Sequence, residues 1–117
     1  MFYHSHIEED ISKIQFIQVE IDNRIGRHTA GLHGDRKGWI AWPAPENETV
    51  LRLWDWNEML IQVEGNRTRT RLNGVAMLDF TYPNPGVTDG VIGLQLHSGG
   101  GGRMRFKDIR IRDFTRR

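Results

Sequence analysis

Two short stretches hold side chains able to move protons. In residues 17–22, "IQVEID", an extended chain puts Ile17, Val19 and Ile21 on one face and Gln18, Glu20 and Asp22 on the other. In residues 92–97, "IGLQLH", Ile92, Leu94 and Leu96 alternate in the same way with Gly93, Gln95 and His97. Carboxylates, an amide and an imidazole on polar strand faces suit acid–base chemistry. Ordinary glycosidases flank the scissile bond with two carboxylates roughly 5 to 9 Å apart. Two residues of strand rise place the Glu20 and Asp22 Cβ atoms about 6.5–7 Å apart, within that range. Neighbours on one strand, however, approach a substrate from one side instead of flanking it. Gly93 leaves room for a ligand ring beside Gln95 and His97. A one-residue register slip would bury every polar member, so the parity is protected. The expectation is one groove lined by Glu20, Asp22, Gln95 and His97.

The elements that must hold these groups are strands. Period-two alternation marks residues 14–22, "MLIQVE" (59–64), "TRTRL" (68–72), "VAMLDFTY" (75–82), "VIGLQL" (91–96) and "MRFKDIRI" (104–111). "GNR" (65–67) signals a turn, "NG" (73–74) signals a tight hairpin and "PNPG" (83–86) ends a strand. The last two strands join across "HSGGGG". Helix signals are nearly absent. A chain of 117 residues, 38% hydrophobic and 26% charged, is enough for a single domain over 1–117 with a modest core. The class is all-β: an antiparallel sandwich or barrel. Residues 23–50 read as less regular, with a Gly-rich loop "GLHGDRKGW" and a Pro-bearing loop "WPAPENE". Of the four tryptophans, Trp54 or Trp56 is expected in the core. Trp39 or Trp42, on the loops, is placed to stack on a ligand ring.

Composition removes several function classes. No apolar run approaches the roughly 20 residues a helical membrane span needs. The opening "MFYHSHIEED" turns acidic at once, so no leader pattern is present. Without cysteine there is no disulfide framework and no thiolate zinc site. Residues 1–58 carry ten acids and six bases, and residues 59–117 five acids and ten bases. The later basic residues alternate with apolar ones, as in Arg103-Met104-Arg105-Phe106 and Arg110-Ile111-Arg112. That is the pattern of a solvated strand face; a nucleic-acid face would interleave aromatics on the basic side. Neither nucleic acid nor membrane is expected as a partner. His4 and His6, two apart, could join Glu20 or Asp22 in a His/carboxylate metal site. Nothing fixes a third ligand, so no cofactor is expected, though a divalent cation stays open. "GGGG" is no phosphate loop, because no helix signal and no Lys-Ser/Thr follow it.

Five pieces, in order, resemble one family. "WDWNEMLIQVEGNRTRTRLNGV" (54–75) is similar to the "WN…I…GN…LNG" segment of the 3-keto-disaccharide hydrolase-like domain, first catalogued as a domain of unknown function. "GVIGLQLHSGGGGRMRFKDIRIRDF" (90–114) resembles its closing segment, and "IQFIQVEID" (14–22) its "E.QI.D" strand. "TAGLHG" (29–34) resembles the Gly-rich step that follows, with His33 where the family often has tyrosine. "FYHS" (2–5) resembles a strand usually ending in Arg-Ser, with His4 at the arginine position. The resemblance implies a concanavalin A-like jelly roll with a concave sheet that holds a carbohydrate. Family domains begin earlier, with "NG.dL.GW" and "NSG" motifs. The chain therefore looks like the C-terminal two-thirds of the domain, lacking its N-terminal strands. Open sheet edges would then favour a homo-oligomer. The family would allow a secreted or periplasmic location.

The implied chemistry is cleavage of a keto-sugar glycoside, by a hydrolase- or lyase-type enzyme. A ketone at C3 acidifies the proton on C2, so a base can remove it and the enolate can expel the C1 substituent. This requires a base, a stabiliser of the enolate oxygen and an acid for the leaving group. Glu20 or His97 would be the base, and Gln95, Arg24 or a bound cation the stabiliser. His33 would be the acid, with Asp22, Trp39 and Trp42 binding substrate. Two other readings use the same residues: a non-catalytic carbohydrate-binding module, and an assembly element whose sheet edge pairs with another chain. In those readings Asp22 caps a turn, Glu20 pairs with an arginine of "TRTR", and His97 is a solvated strand end.

Overall fold

The computed structural model describes residues 1–6, 15–34, 38–83, 91–95 and 103–114. In chain order the described elements are β1 (Phe2–His6), β2 (Gln15–Val19), β3 (Leu32–Gly34), β4 (Gly38–Ala41), α1 (Pro45–Glu48), β5 (Met59–Glu64), β6 (Arg67–Leu72), β7 (Val75–Thr81) and β8 (Val91–Gly93). They form two sheets, a five-stranded one of order β4-β3-β2-β1-β8 and a three-stranded one of order β5-β6-β7. Every assigned strand pair is antiparallel.

Local sequence explains the small sheet. Glu64 pairs with Arg67 across a two-residue turn whose first member, Gly65, has φ +56°. Leu72 pairs with Val75 across Asn73 and Gly74, with φ of 51° and 82°. Positive φ at both central residues is the type I′ turn that suits strand twist, and Asn-Gly is its preferred pair. The Asn73 side chain then staples the neighbouring loop, donating to the Val50 carbonyl (2.8 Å) and to Asn57 Oδ1 (2.9 Å).

The two sheets meet over one apolar layer. Val19 of β2 and Leu32 of β3 are fully buried, with the partly buried Ile17 and Ile40 packed against them. They pack on Met59, Ile61, Val63, Leu78 and Phe80 of the small sheet. A second cluster joins Ala30 and Leu51 to Leu72 and Met77. One polar bond crosses the layer: the buried Thr70 hydroxyl donates to the Ala30 carbonyl at 2.8 Å. Ala30 has φ 72°, a left-handed conformation unusual for a residue with a Cβ. Among the described residues, no helix is long and apolar enough to cross a membrane.

Four sequence readings need correction. Residues read as irregular loop contain β3 and β4, so Trp39 stands on a strand. These strands are only three and four residues long, too short for alternation to reveal. Residues 104–111 form no strand; Phe106, Ile109 and Ile111 are exposed. Alternation records which side chains share a face but not whether a neighbouring backbone is there to pair. Ile92 and Leu94 are also exposed, because β8 lies at the sheet edge and the apolar layer does not reach beneath it. Finally, neither Trp54 nor Trp56 is core: Trp54 is 91% exposed, on a left-handed backbone turn (φ 59°).

Candidate functional site

Strand register assembles the outer face of the five-stranded sheet. Gly93 pairs with Phe2, Phe2 with Gln18, Gln18 with His33, and His33 with Trp39. Cross-strand partners share a face, so Gln18, His33 and Trp39 form one row across three neighbouring strands. Gln18, His33 and Trp39 lie opposite the buried Val19 and Leu32, on the side away from the small sheet. The next row carries Glu20. Its backbone N–H donates to the Gly31 carbonyl (3.0 Å) and its carbonyl accepts from Ala30 (2.9 Å), which extends the β2–β3 ladder. Gln95 lies two residues past the end of β8, the strand that pairs with β1 at the opposite edge of the sheet from β4.

The two carboxylates on this face differ in state. Glu20 is half-buried, and its Oε2 accepts a 2.8 Å hydrogen bond from the Gln18 amide. Burial pushes its carboxyl above the ordinary glutamate value, and the charge of Asp22 pushes it further. The chain's amino group and His33 pull weakly the other way. Asp22 is held by a two-point pair with Arg24, at 2.9 and 2.7 Å. That hydrogen-bonded guanidinium lowers the Asp22 carboxyl below the usual aspartate value. A pair of acids driven in opposite directions by their surroundings divides into a proton carrier and a fixed anion.

A loop folds onto the far side of the face. Thr29 Oγ1 donates to the Asp22 carbonyl (2.8 Å) and accepts from its N–H (3.0 Å). His28 has φ 64°. Gly31 lies beneath this loop, where a Cβ would stand 2.8 Å from the His28 carbonyl oxygen and 3.3 Å from the Trp39 ring. Only glycine admits both neighbours so closely. The Trp39 ring meets His33 edge-on at 5.2 Å and His28 edge-on at 4.9 Å. His28 also stacks on Trp42 at 5.6 Å. Behind His28 stands Glu48, delivered by α1, whose first turn opens with Pro45. Glu48 is only 4% exposed; one of its oxygens accepts the His28 backbone N–H and the other lies 3.1 Å from His28 Nδ1.

Residues 1–112 of the 117 match the 3-keto-alpha-glucoside-1,2-lyase-like domain. The chain belongs to that family. No curated protein and no solved structure matches it.

Within this lyase-like domain, His33 and Trp39 stand on strands of one sheet, Glu20 directly follows β2, Trp42 directly follows β4, and Gln95 lies two residues past β8. Asp22 and Arg24 stand at the rim, joined to each other. Among the described residues Glu20 pairs with no arginine of "TRTR"; Arg69 binds Glu64 and Arg71 reaches the Gly74 carbonyl. His97 lies outside the described residues, as do the side chains of His4 and His6. Among the described residues, no group of three His, Cys, Asp or Glu could hold a metal. The sequence reading left three residues unassigned. Gln18 shares Glu20's parity and was legible as a neighbour. Nothing local in "GRHTAG" or "PENE" signals that His28 meets Glu48, because twenty residues separate them.

Proposed function

We propose that the outer face of the five-stranded sheet is a sugar site, and that the domain, as a concanavalin A-like jelly roll, cleaves a 3-keto-glycoside by elimination. Family membership supports the substrate class. The observation that carries the reading is Glu20: a half-buried carboxylate, held by an amide instead of a cation, with its proton affinity raised. Such a group takes the C2 proton more readily than an ordinary surface glutamate. The electron pair left on C2 delocalises onto the C3 ketone oxygen and then returns to expel the C1 substituent. Gln95 and the Arg24 rim donate to the enolate oxygen. Trp39 and Trp42 provide apolar ring surface for the sugar's C–H faces. A proton must also reach the departing oxygen, and the face offers imidazoles for it: His33 beside Glu20, and His28 across Trp39.

The test is turnover of a 3-keto-glucoside, followed by the ultraviolet absorbance of the conjugated enone that elimination creates. Wild-type protein forms the enone, and Glu20→Gln binds the sugar without forming it. Absence of both binding and turnover in the wild type would reject the reading.

A further inference from the structure

The His28–Glu48 pair is the most elaborately built feature of the molecule that the chemistry above leaves unused. A buried carboxylate is costly unless its oxygens are satisfied. Both Glu48 oxygens are spent on one residue, the first on the His28 backbone and the second on its ring. A carboxylate only accepts hydrogen bonds, so the Nδ1 position carries a hydrogen. That leaves Nε2 as the working nitrogen, and it makes no hydrogen bond among the described residues. The ring is pinned on its other sides by Trp39 and Trp42. The backbone that presents it is strained at His28 and again at Ala30, each at a cost of about 1 kcal/mol or more. The Glu48 carboxylate and the Thr70 hydroxyl hold that strain in place. A solvated loop histidine needs none of this.

Resting on the elimination reading above, we infer that His28 is the proton donor to the leaving group and Glu48 its positioning residue. His28 and His33 both meet the Trp39 ring edge-on, at 4.9 and 5.2 Å, and the charge of His33 acts on Glu20. Gly31, the backbone partner of Glu20, lies against the Trp39 ring, and the His28 ring centre is 4.9 Å from the Trp39 ring centre. In this assignment a sugar over Trp39 turns its C2 proton toward the Glu20 carboxylate and its C1 oxygen toward the His28 imidazole. His33 sits beside Glu20 and acts on its charge, so it serves the base. In the step, the C2–H pair becomes the C1=C2 bond, the C1–O bond breaks, and the departing oxygen takes the Nε2 proton. Glu48 carries the balancing negative charge while the imidazole is cationic.

The experiment compares two 3-keto-glucosides, one with a methoxide leaving group and one with 4-nitrophenolate, which departs without protonation. His28→Asn keeps a residue tolerant of left-handed backbone, and Glu48→Gln keeps an oxygen for the His28 N–H. Melting temperatures of both variants establish folding. General acid catalysis accounts for roughly 10²–10⁴-fold. His28→Asn should lose about 10²-fold or more on the methyl glycoside and less than about 3-fold on the nitrophenyl glycoside. Glu48→Gln should show the same selectivity to a smaller degree. Equal losses on both substrates, or no loss on either, would overturn the assignment while leaving the elimination reading intact. A wild type inactive on both substrates would overturn the elimination reading itself.

Discussion

The outer faces of the two sheets handle charge in opposite ways. On the small sheet, Arg67 forms a two-point pair with Asp79 at 2.8 and 2.6 Å, and Arg69 reaches Glu64 at 3.2 Å. The hydrogen-bonded Arg67 lowers the Asp79 carboxyl below its ordinary value. These are cross-strand pairs in water, which neutralise one another and contribute little. An open depression on that face, lined by Leu60, Gln62, Arg69 and Asp79, offers mainly groups already paired. On the large sheet, Glu20 has an amide and an imidazole where the small sheet has guanidinium, and burial raises its proton affinity. Exposed carboxylates tied to guanidinium groups have little proton affinity to offer a substrate. A carboxylate left unbalanced has more, at some expense of stability.

The comparison breaks most sharply at Glu20. Glu20→Gln should reduce enone formation by about 10³-fold, within the usual range for losing a positioned base. It should not lower the melting temperature at pH 7. A carboxyl whose folded value is raised contributes stability below its unfolded value, 4.5, and loses it as pH rises through the folded value. At neutral pH the wild type therefore lacks that contribution, and glutamine avoids the cost of the buried charge. Thermal melts of both proteins from pH 4 to 8 check the sign: the wild type should fall relative to Glu20→Gln as pH rises.

Next in size is the support beneath the face. Thr70→Val leaves the Ala30 carbonyl without its partner in a buried layer, at a cost of about 1–3 kcal/mol, or several degrees in Tm. Circular dichroism melts measure it. Trp42→Ala should weaken keto-glucoside binding by roughly 3- to 10-fold by calorimetry, the worth of one aromatic contact. The smallest effect is expected on the opposite sheet. Asp79→Ala should leave turnover unchanged and Tm within about 1 °C, since the pair is exposed. A loss of turnover there comparable to that of Glu20→Gln would erase the distinction between the two faces.

How much of this could be read in the sequence varies with the range of the interaction. The β5–β6–β7 meander was legible almost residue by residue, because its turns are local and its parity continuous over six or seven residues. The polar parity of Glu20 was legible for the same reason. β3 and β4 were hidden by their brevity and by the glycines that make Gly31 a crossing point. Residues 104–111 misled in the other direction, as alternation survives in a segment that pairs with no described strand. His28 and Glu48 were out of reach, since their meeting depends on a left-handed residue, a four-residue helix and a packed sheet acting together.

The central claim is that Glu20, unlike Asp22 among the described residues, has no guanidinium partner and is held above its ordinary value by burial. Carboxyl-carbon NMR titration of the labelled protein tests it directly. The account predicts that Glu20 titrates above 4.5 and Asp22 below 3.8, with the gap between them wider than in the unfolded chain. A Glu20 midpoint at or below 4.5 would contradict it, because the group would then be an ordinary surface anion and the two faces of the molecule would be chemically alike.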